Sequence, residues 1–337
     1  MSMLNNGKLK RLLCIWLALV TALALVACGN APKYNVWSPL SRRGHQIKVG
    51  IINLDASESS YRAANVKDLE ERFTAERGYD ASFAYSMDNG TQIEMARAFI
   101  KDGVEYLLIA AADTSGWNSL LNEAKMAGVK VILFDRMVDE DESLYEASVV
   151  SDMLAEGQMA VEYLESLQFK KYKIIHLQGT KGSSAQKGRS YAIEEKAHEE
   201  FNWRIQVQES GNWDREQAKE IVLDALSRGT TFNVIYSEND DMAKGAVEAL
   251  DEYSISHGPD GAVAIISFDC NKWAMEELMK RSWNYDGQCN PYQASYLDEI
   301  IKTIESGGRL ANKTIILREK GFSTETIKAS DIKDFGI

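Results

Sequence analysis

The stretch IKVGIINL (residues 47–54) is the first indication of the fold class. It is a nearly continuous apolar run rich in β-branched residues, a pattern typical of a strand buried on both faces of a parallel sheet. Similar runs recur along the chain, so the sequence predicts several such strands. They begin at Tyr106 (YLLIAA), Lys130 (KVILFD), Lys173 (KIIHLQG), Asn233 (NVIYSE) and Ala262 (AVAIISFD).

Amphipathic segments lie between these runs. In one of them Ile93, Ala96 and Ile100 recur at three- and four-residue spacing, which gives a single apolar stripe to pack on a sheet. Alternation of strand and helix predicts right-handed crossovers and an α/β fold with open, doubly wound parallel sheets. The helices are predicted at 60–76, 91–101, 116–127, 154–167, 215–227 and 240–253.

The strands are too many for one such sheet, and the pattern restarts. One set ends near Asp135, and a second opens at Lys173 after a connecting stretch. The length of 337 residues also fits about two domains. The sequence therefore predicts two similar α/β lobes, and the lack of a Pro/Gly-rich linker predicts a packed hinge between them.

Composition excludes several function classes. The first 27 residues carry three basic and no acidic side chains, so the remainder has 35 basic against 50 acidic residues, a net charge of −15. A body this acidic repels phosphate backbones, which argues against nucleic-acid binding. Four cysteines are too few for a disulfide scaffold. Cys270 and Cys289 follow predicted neighbouring strands, and either a disulfide or two buried thiols would suit them.

The N-terminus has the features of an export signal. Three basic residues precede an apolar run at 12–27, which is short for a membrane span and lacks a basic stop-transfer cluster. The run ends in LVACG (25–29), which resembles the lipobox of bacterial lipoproteins. That resemblance implies a signal peptide at 1–27, lipidation of Cys28 and a polar tether at 28–45. We therefore expect an extracytoplasmic protein that is lipid-anchored to the cell membrane.

Polar side chains follow the predicted strands at their carboxyl ends, where open α/β sheets bind ligands. Carboxylates, guanidinium groups and an amide together suit a ligand dense in hydroxyl groups, such as a monosaccharide. Helix capping and turn formation are the alternative for any single residue. The candidates are Arg62, Asp135, Arg136, Arg189, Asn239 and Asp269, with Tyr61, Trp117, Trp213 and Trp273 available to cover the apolar side of a sugar ring.

Other chemistry has little support in the sequence. The glycine-rich segment 179–184 lacks the spacing and the GK[ST] ending of a P-loop, and no dinucleotide fingerprint follows the first strand. The four histidines have no metal-binding spacing, and no G-x-S-x-G elbow is present. The prediction is therefore a binding protein that is not an enzyme and uses neither a cofactor nor a metal.

Six segments together carry a resemblance to type I periplasmic sugar-binding proteins of the ribose/galactose class. The chain is most similar to the galactofuranose-binding proteins of ABC importers, over nearly all of 47–337. The segments fall in the order and at the spacing found in that family. They are SESSYRAA (57–64), TSGWNSLLNEAK (114–125), FDRMVD (134–139), LQGTKGSS (177–184), YSENDDM (236–242) and ISFD (266–269).

The resemblance implies two Rossmann-like lobes, joined by a three-segment hinge, that close over a sugar. It implies an N-terminal lobe at 46–138 plus 290–316 and a C-terminal lobe at 139–289 plus 317–337. Tyr61 and Ser60 stand where galactofuranose binders carry tryptophan and glycine, and Cys289 stands where ribose binders carry an amide. Because of these departures, the resemblance does not identify which sugar is bound. The implied ligand contacts are Glu58, Ser59, Ser60, Tyr61, Arg62, Asp135, Arg136, Arg189, Asn239 and Asp269.

The implied partners are a monosaccharide and the permease of an ABC transporter, with a monomeric body. An alternative stays open from the sequence: the sugar-loaded protein could signal to a membrane receptor kinase, because both partners would recognise the same closed lobes. A transcription repressor on the same two-lobed core is disfavoured, because the chain lacks a helix-turn-helix segment and is acidic.

Overall fold

The structure is a computed structural model, and it describes residues 45–337. The predicted signal peptide, the lipidation site Cys28 and all but the last residue of the predicted tether lie outside the described residues. Within 45–337 we find no helix with the length and apolar character needed to cross a membrane.

The first sheet has six parallel strands in the order β11-β5-β4-β3-β1-β2. Its central strands are buried along almost their whole length, as their apolar runs predicted. The strands are β1 (Ile47–Asn53), β2 (Tyr79–Tyr85), β3 (Tyr106–Ile109), β4 (Lys130–Asp135), β5 (Ala147–Ser151) and β11 (Thr314–Leu317).

The second sheet repeats this architecture in the order β12-β10-β9-β8-β6-β7. All of its neighbours pair in parallel except β12, which runs antiparallel to β10 at the edge. The strands are β6 (Tyr172–Gln178), β7 (Trp203–Ser210), β8 (Val234–Ser237), β9 (Ala264–Asp269), β10 (Tyr285–Gln288) and β12 (Gly321–Ser323).

Helices cover both sheets, and each of the six predicted helices is present with ends shifted by up to four residues. The helices are α1 (Ser60–Arg72), α2 (Asn89–Lys101), α3 (Asn118–Ala127), α4 (Met153–Ser166), α5 (Ser184–Glu199), α6 (Arg215–Ser227), α7 (Asp240–Glu252), α8 (Lys272–Met279), α9 (Ala294–Glu305) and α10 (Ala329–Phe335).

Each sheet has an apolar layer on both faces. In the first sheet Ile51 and Phe134 belong to one core cluster, while Ile52 and Leu133 face the other. The second sheet divides in the same way, with Ile235 on one face and Tyr236 on the other. Burial on two faces explains why these strands read as continuous apolar runs in the sequence. The expected fold, two doubly wound α/β lobes, is confirmed.

Several strands were not predicted from the sequence. The edge strands β2 and β7 are exposed or half-buried after their first residue, and neither contains an apolar run. The strand β10 has the sequence YDGQ, and its burial comes from neighbouring elements rather than from its own composition. Propensity is a weak guide to strands at such positions, because their tertiary context decides their conformation.

Sheet membership moves one expected lobe boundary. The strand β5 lies at 147–151, within the segment assigned to the C-terminal lobe, yet it pairs with β4 and β11 of the first sheet. The first crossing between the sheets therefore follows Ser151, not residue 138. The other crossings lie between β10 and α9 and between β11 and β12. Cys270 and Cys289 are both buried free thiols, so the disulfide left open above is absent.

Candidate functional site

A cleft lies where the carboxyl ends of the two sheets face each other. This is the edge at which open α/β sheets bind ligands. Both lobes contribute charged side chains to its wall. The lining residues are Glu58, Ser59, Tyr61, Arg62, Asp135, Arg136, Met153, Ala185, Arg189, Trp213, Asn239, Asp269 and Cys289.

Arg62 organises the wall formed by the first lobe. It lies in the first turn of α1 and is 1% exposed. Its Nε donates to Glu58 Oε2 at 3.1 Å, and its Nη2 donates to Asp135 Oδ2 at 2.5 Å. Its Nη1 donates to the side-chain oxygens of Asn53 and Asn65, both at 3.0 Å. These hydrogen bonds fix the guanidinium plane before a ligand binds. Arg62 therefore loses little side-chain entropy when the ligand binds.

Asp135 and Glu58 each hold a second group in place. Tyr61 donates its hydroxyl to Asp135 Oδ1 at 2.9 Å, and Arg136 Nη2 donates to Glu58 Oε1 at 2.9 Å. Burial disfavours the charged form of Asp135, but Arg62 and Arg136 outweigh burial and hold its pKa below the ordinary value. Asp135 is therefore an ionised acceptor at neutral pH.

Arg189 organises the wall formed by the second lobe. Its Nε donates to Glu156 Oε2 at 2.7 Å, and it also donates to the backbone carbonyl of Glu238. Its Nη2 lies 3.4 Å from Asp269 Oδ1. Burial raises the pKa of Asp269 well above its usual range, and the Arg189 charge opposes that rise only in part. The second wall thus offers one carboxyl group that has few partners and lies beside a fixed cation.

Trp213 provides an aromatic face between Arg136 and Arg189 of the cleft. Its ring lies 5.6 Å from the Arg136 guanidinium and 6.0 Å from that of Arg189. Asn239 donates its side-chain amide to the Trp213 carbonyl at 3.2 Å. A Cβ atom at Gly179 would lie 2.0 Å from the indole ring, so a glycine is required there for the ring to reach this position.

Unpartnered polar atoms remain around the cleft. Among residues 45–337, Arg136 Nη1 and Trp213 Nε1 are buried donors without a hydrogen-bond partner. Gln293 Oε1 is a buried acceptor in the same condition, and its amide nitrogen lies 3.5 Å from the Tyr61 hydroxyl. Because buried polar groups are normally paired, such atoms point to a polar ligand. Side chains of both lobes can bind hydroxyl groups of a ligand in the cleft, while the Trp213 indole covers one face of that ligand.

The structure brings together nearly all of the predicted contact residues. Nine of the ten line the cleft. Ser60 does not: its amide and hydroxyl donate to Asp241 of the other lobe at 2.7 and 3.0 Å. Of the aromatic candidates, Trp117 is buried in the core of the first lobe and Trp273 packs against Trp283, so neither lines the cleft.

Sequence reasoning missed other residues of the site. Met153 and Ala185 line the cleft, and Glu156 holds Arg189 from behind. The first two are apolar members of helices, and nothing in their local sequence distinguishes them from core residues. Glu156 follows Met153 in the first turn of α4, where an acidic residue is also the ordinary helix-start signal.

The family model described as the periplasmic binding protein domain matches residues 49–297. Among curated proteins, the galactofuranose-binding protein YtfQ of Escherichia coli strain K12 is 28% identical over 278 residues, covering 81% of this chain and 86% of that protein. This relative is a binding protein, and the expectation that the chain is not an enzyme is confirmed.

Two solved structures share the fold. The binding component of an arabinose ABC transporter from Shewanella sp. ANA-3, bound to α- and β-L-arabinofuranose, has a TM-score of 0.78 and 27% identity. The matched region covers 85% of this chain and 95% of the Shewanella protein chain. A protein from Mycobacterium smegmatis in complex with β-D-fucofuranose has a TM-score of 0.77 and 26% identity. The matched region covers 86% of this chain and 93% of that protein chain. From the family match, the fold and the charged interlobe cleft, the chain belongs to the periplasmic binding protein family.

Proposed function

We propose that this protein binds one monosaccharide in the cleft between its lobes and delivers it to the permease of an ABC importer. The observation that carries the proposal is the convergence of fixed side chains from two sheets. Arg62 and Asp135 come from the first lobe, and Arg189 and Asp269 come from the second. Hydrogen bonds to charged groups stabilise a bound hydroxyl by about 1.5–3 kcal/mol each, so a few of them suffice for micromolar binding.

The mechanism follows from contacts on both walls. A ligand that bonds to groups on both lobes binds the closed arrangement better than an open one, so it shifts the population toward closure. Closed lobes form a surface that open lobes lack, and this surface is the signal read by a membrane partner. No covalent step is required.

A furanose-ring aldose of the galactose type is the sugar we propose. Its support is the set of relatives described above, which bind galactofuranose, arabinofuranose or fucofuranose according to their names. Residues of both walls, together with the indole of Trp213, suit a small ring with hydroxyls on its edge and a C–H face.

A thermal-shift screen over pentoses and hexoses tests the binding proposal. A true ligand at 100 times its dissociation constant stabilises the native state by about 2.7 kcal/mol. The ring form is then read by NMR of the bound sugar labelled with ¹³C at its anomeric carbon. Galactose bound as a pyranose would refute the furanose proposal, and no stabilisation by any sugar would refute monosaccharide binding.

Anchoring at Cys28 and delivery to a permease are proposed from the sequence. Cys28→Ala should release the protein from membranes into the soluble fraction, whereas mass spectrometry of the natural protein should find acyl chains on this cysteine. Crosslinking of the sugar-loaded protein in intact membranes should capture a permease. Capture of a receptor kinase instead would favour the sensory alternative.

A further inference from the structure

Each of the three crossings between the lobes places one metal-ligating side chain at the same point. Glu156 lies in the first turn of α4, just after the first crossing. Cys289 follows β10 on the second crossing, and Glu319 lies between β11 and β12 on the third. Together with Ser151 at the end of β5, we call these residues the hinge cluster.

The donor atoms of the hinge cluster are close together. One carboxylate oxygen of Glu156, one of Glu319 and the sulfur of Cys289 all lie within 4.8 Å of one another. Ser151 Oγ donates to Glu319 Oε1 at 2.6 Å and lies 3.6 Å from Cys289 Sγ. The ligand atoms of a tetrahedral ion with bonds of about 2.0–2.3 Å lie closer together than 4.8 Å, so ion binding requires these side chains to move together.

A second observation points to a ligand at this place. Glu156 is 1% exposed, and its Oε1 has no hydrogen-bond partner among residues 45–337. Glu319 Oε2 is in the same condition. An unpaired buried carboxylate oxygen is costly, so two of them beside a thiol require a proton or a cation between them.

The charge balance of the hinge cluster favours a divalent ion. Arg189, the charged group that holds Glu156 from the cleft side, offsets the charge of that carboxylate. Glu319 adds a second carboxylate at the same place, and one divalent cation can offset its charge while binding the sulfur of Cys289.

We propose that the hinge cluster binds one thiophilic divalent cation of the zinc class through Glu156, Cys289 and Glu319. A sulfur ligand favours zinc over the hard cations calcium and magnesium, which prefer oxygen alone. Ser151 Oγ or a water molecule completes the coordination. Because the three ligands come from three crossings, the ion ties the crossings together and restrains rotation of one lobe against the other. The site shares Cys289 with the lining of the sugar cleft, so metal binding is tested in the absence of sugar.

The test is a titration of the full chain, freed of metal by a chelator, with Zn²⁺ in the absence of sugar. We expect one ion per chain at the hinge cluster, measured by calorimetry. Co²⁺ in place of Zn²⁺ should give a thiolate-to-cobalt charge-transfer band.

Matched cysteine variants assign the binding to the hinge. Cys289→Ser should weaken Zn²⁺ binding more than about tenfold, since even loss of a supporting residue typically costs 10–100-fold. It should also abolish the cobalt band. Cys270→Ser removes the second buried free thiol of residues 45–337 and should leave Zn²⁺ binding and the cobalt band unchanged. The proposal is overturned if the natural chain binds no Zn²⁺ or if both variants bind it equally.

Discussion

Two aspartates at equivalent points of the two sheets define the ligand cleft. Asp135 ends β4 and Asp269 ends β9, and these strands hold the same place in the order of their sheets. Both residues have a left-handed backbone, with φ of 59° and 114°. Such strain is tolerated where the surrounding structure fixes the residue, and it is common at binding sites. The conformation turns each carboxyl group into the cleft.

Asp269→Ala should abolish sugar binding and leave the protein folded, because Asp269 has a single long ion pair and a raised pKa. Asp269→Asn keeps the shape and should weaken binding less than Asp269→Ala, because the amide oxygen still accepts a hydrogen bond. Calorimetry measures both. Asp260→Asn, at an exposed aspartate of the same lobe, serves as the control. Micromolar affinity in the alanine variant would contradict the assignment.

Gly179→Ala should weaken sugar binding through Trp213 alone. The new Cβ atom would lie 2.0 Å from the indole, so the ring must leave its place between Arg136 and Arg189. Trp213 fluorescence and calorimetry should change together. Gly90→Ala, where the nearest atom to the new Cβ is 3.4 Å away, is the matched control. An unchanged affinity in Gly179→Ala would show that the indole does not contact the ligand.

At the level of secondary structure, the N-terminal caps of two helices position side chains of the cleft. Ser59 caps α1, and its hydroxyl accepts from the Arg62 amide at 3.2 Å. Asn239 caps α7 and accepts from the Met242 amide at 2.9 Å, while its own amide holds Trp213. The capping alternative considered for such residues is therefore correct and does not compete with a binding role. One side chain fixes a helix and faces the cleft.

Substitutions at Asn239 should separate these two roles. Asn239→Asp keeps the acceptor for the helix cap but loses the donor to Trp213, so binding should fall while stability stays near that of the natural protein. Asn239→Ala should also lose about 1 kcal/mol in the free energy of unfolding. Urea titration and calorimetry distinguish the variants.

The control for Asn239 is Asp88→Ala, which removes the cap of α2 away from the cleft. It should lower stability by a similar amount and leave sugar affinity unchanged. Equal loss of binding in Asn239→Asp and Asp88→Ala would mean that affinity only follows stability.

At the scale of the whole molecule, the two lobes are in contact around the cleft. Lys187 on α5 of the second lobe lies 3.0 Å from Asp139 of the first and also bonds to Thr114. Ser60 and Asp241 form a second contact between the lobes. None of these residues lines the cleft, so they stabilise closure without touching a ligand there.

Lys187→Met should lower sugar affinity by up to about tenfold, because it removes one interlobe contact and makes closure less favourable. Small-angle scattering of the sugar-free protein should show a larger open fraction. Lys170→Met, at an exposed lysine between α4 and β6, is the control. Affinity and scattering that match those of the natural chain would refute a role of this contact in closure.

Buried carboxyl groups should make the protein less stable as the pH rises. Burial raises the pKa of Asp286 to about 8 and that of Glu319 to about 9. In the unfolded chain the pKa of each of these carboxyl groups is about 4. Between about pH 4 and the raised pKa values, the folded state therefore holds protons that the unfolded state releases. The free energy of unfolding should therefore decline from about pH 4 up to about pH 9.

Urea unfolding in the presence of a chelator measures this decline. Glu319→Gln should make it shallower, because the amide does not titrate. Stability that rises between pH 5 and pH 8 would contradict the burial of protonated carboxyl groups.

The two α/β lobes and most of the cleft could be predicted from the amino-acid sequence. Strands buried on two faces leave continuous apolar runs, and their carboxyl ends mark the ligand edge, so Arg62, Asp135 and Asp269 could be predicted. Other features of the fold and the site depend on contacts that form only in the folded protein. Strands β2, β7 and β10 depend on neighbours for their conformation, and the hinge cluster joins positions 151, 156, 289 and 319. Such contacts join residues far apart in sequence, and no local pattern encodes them.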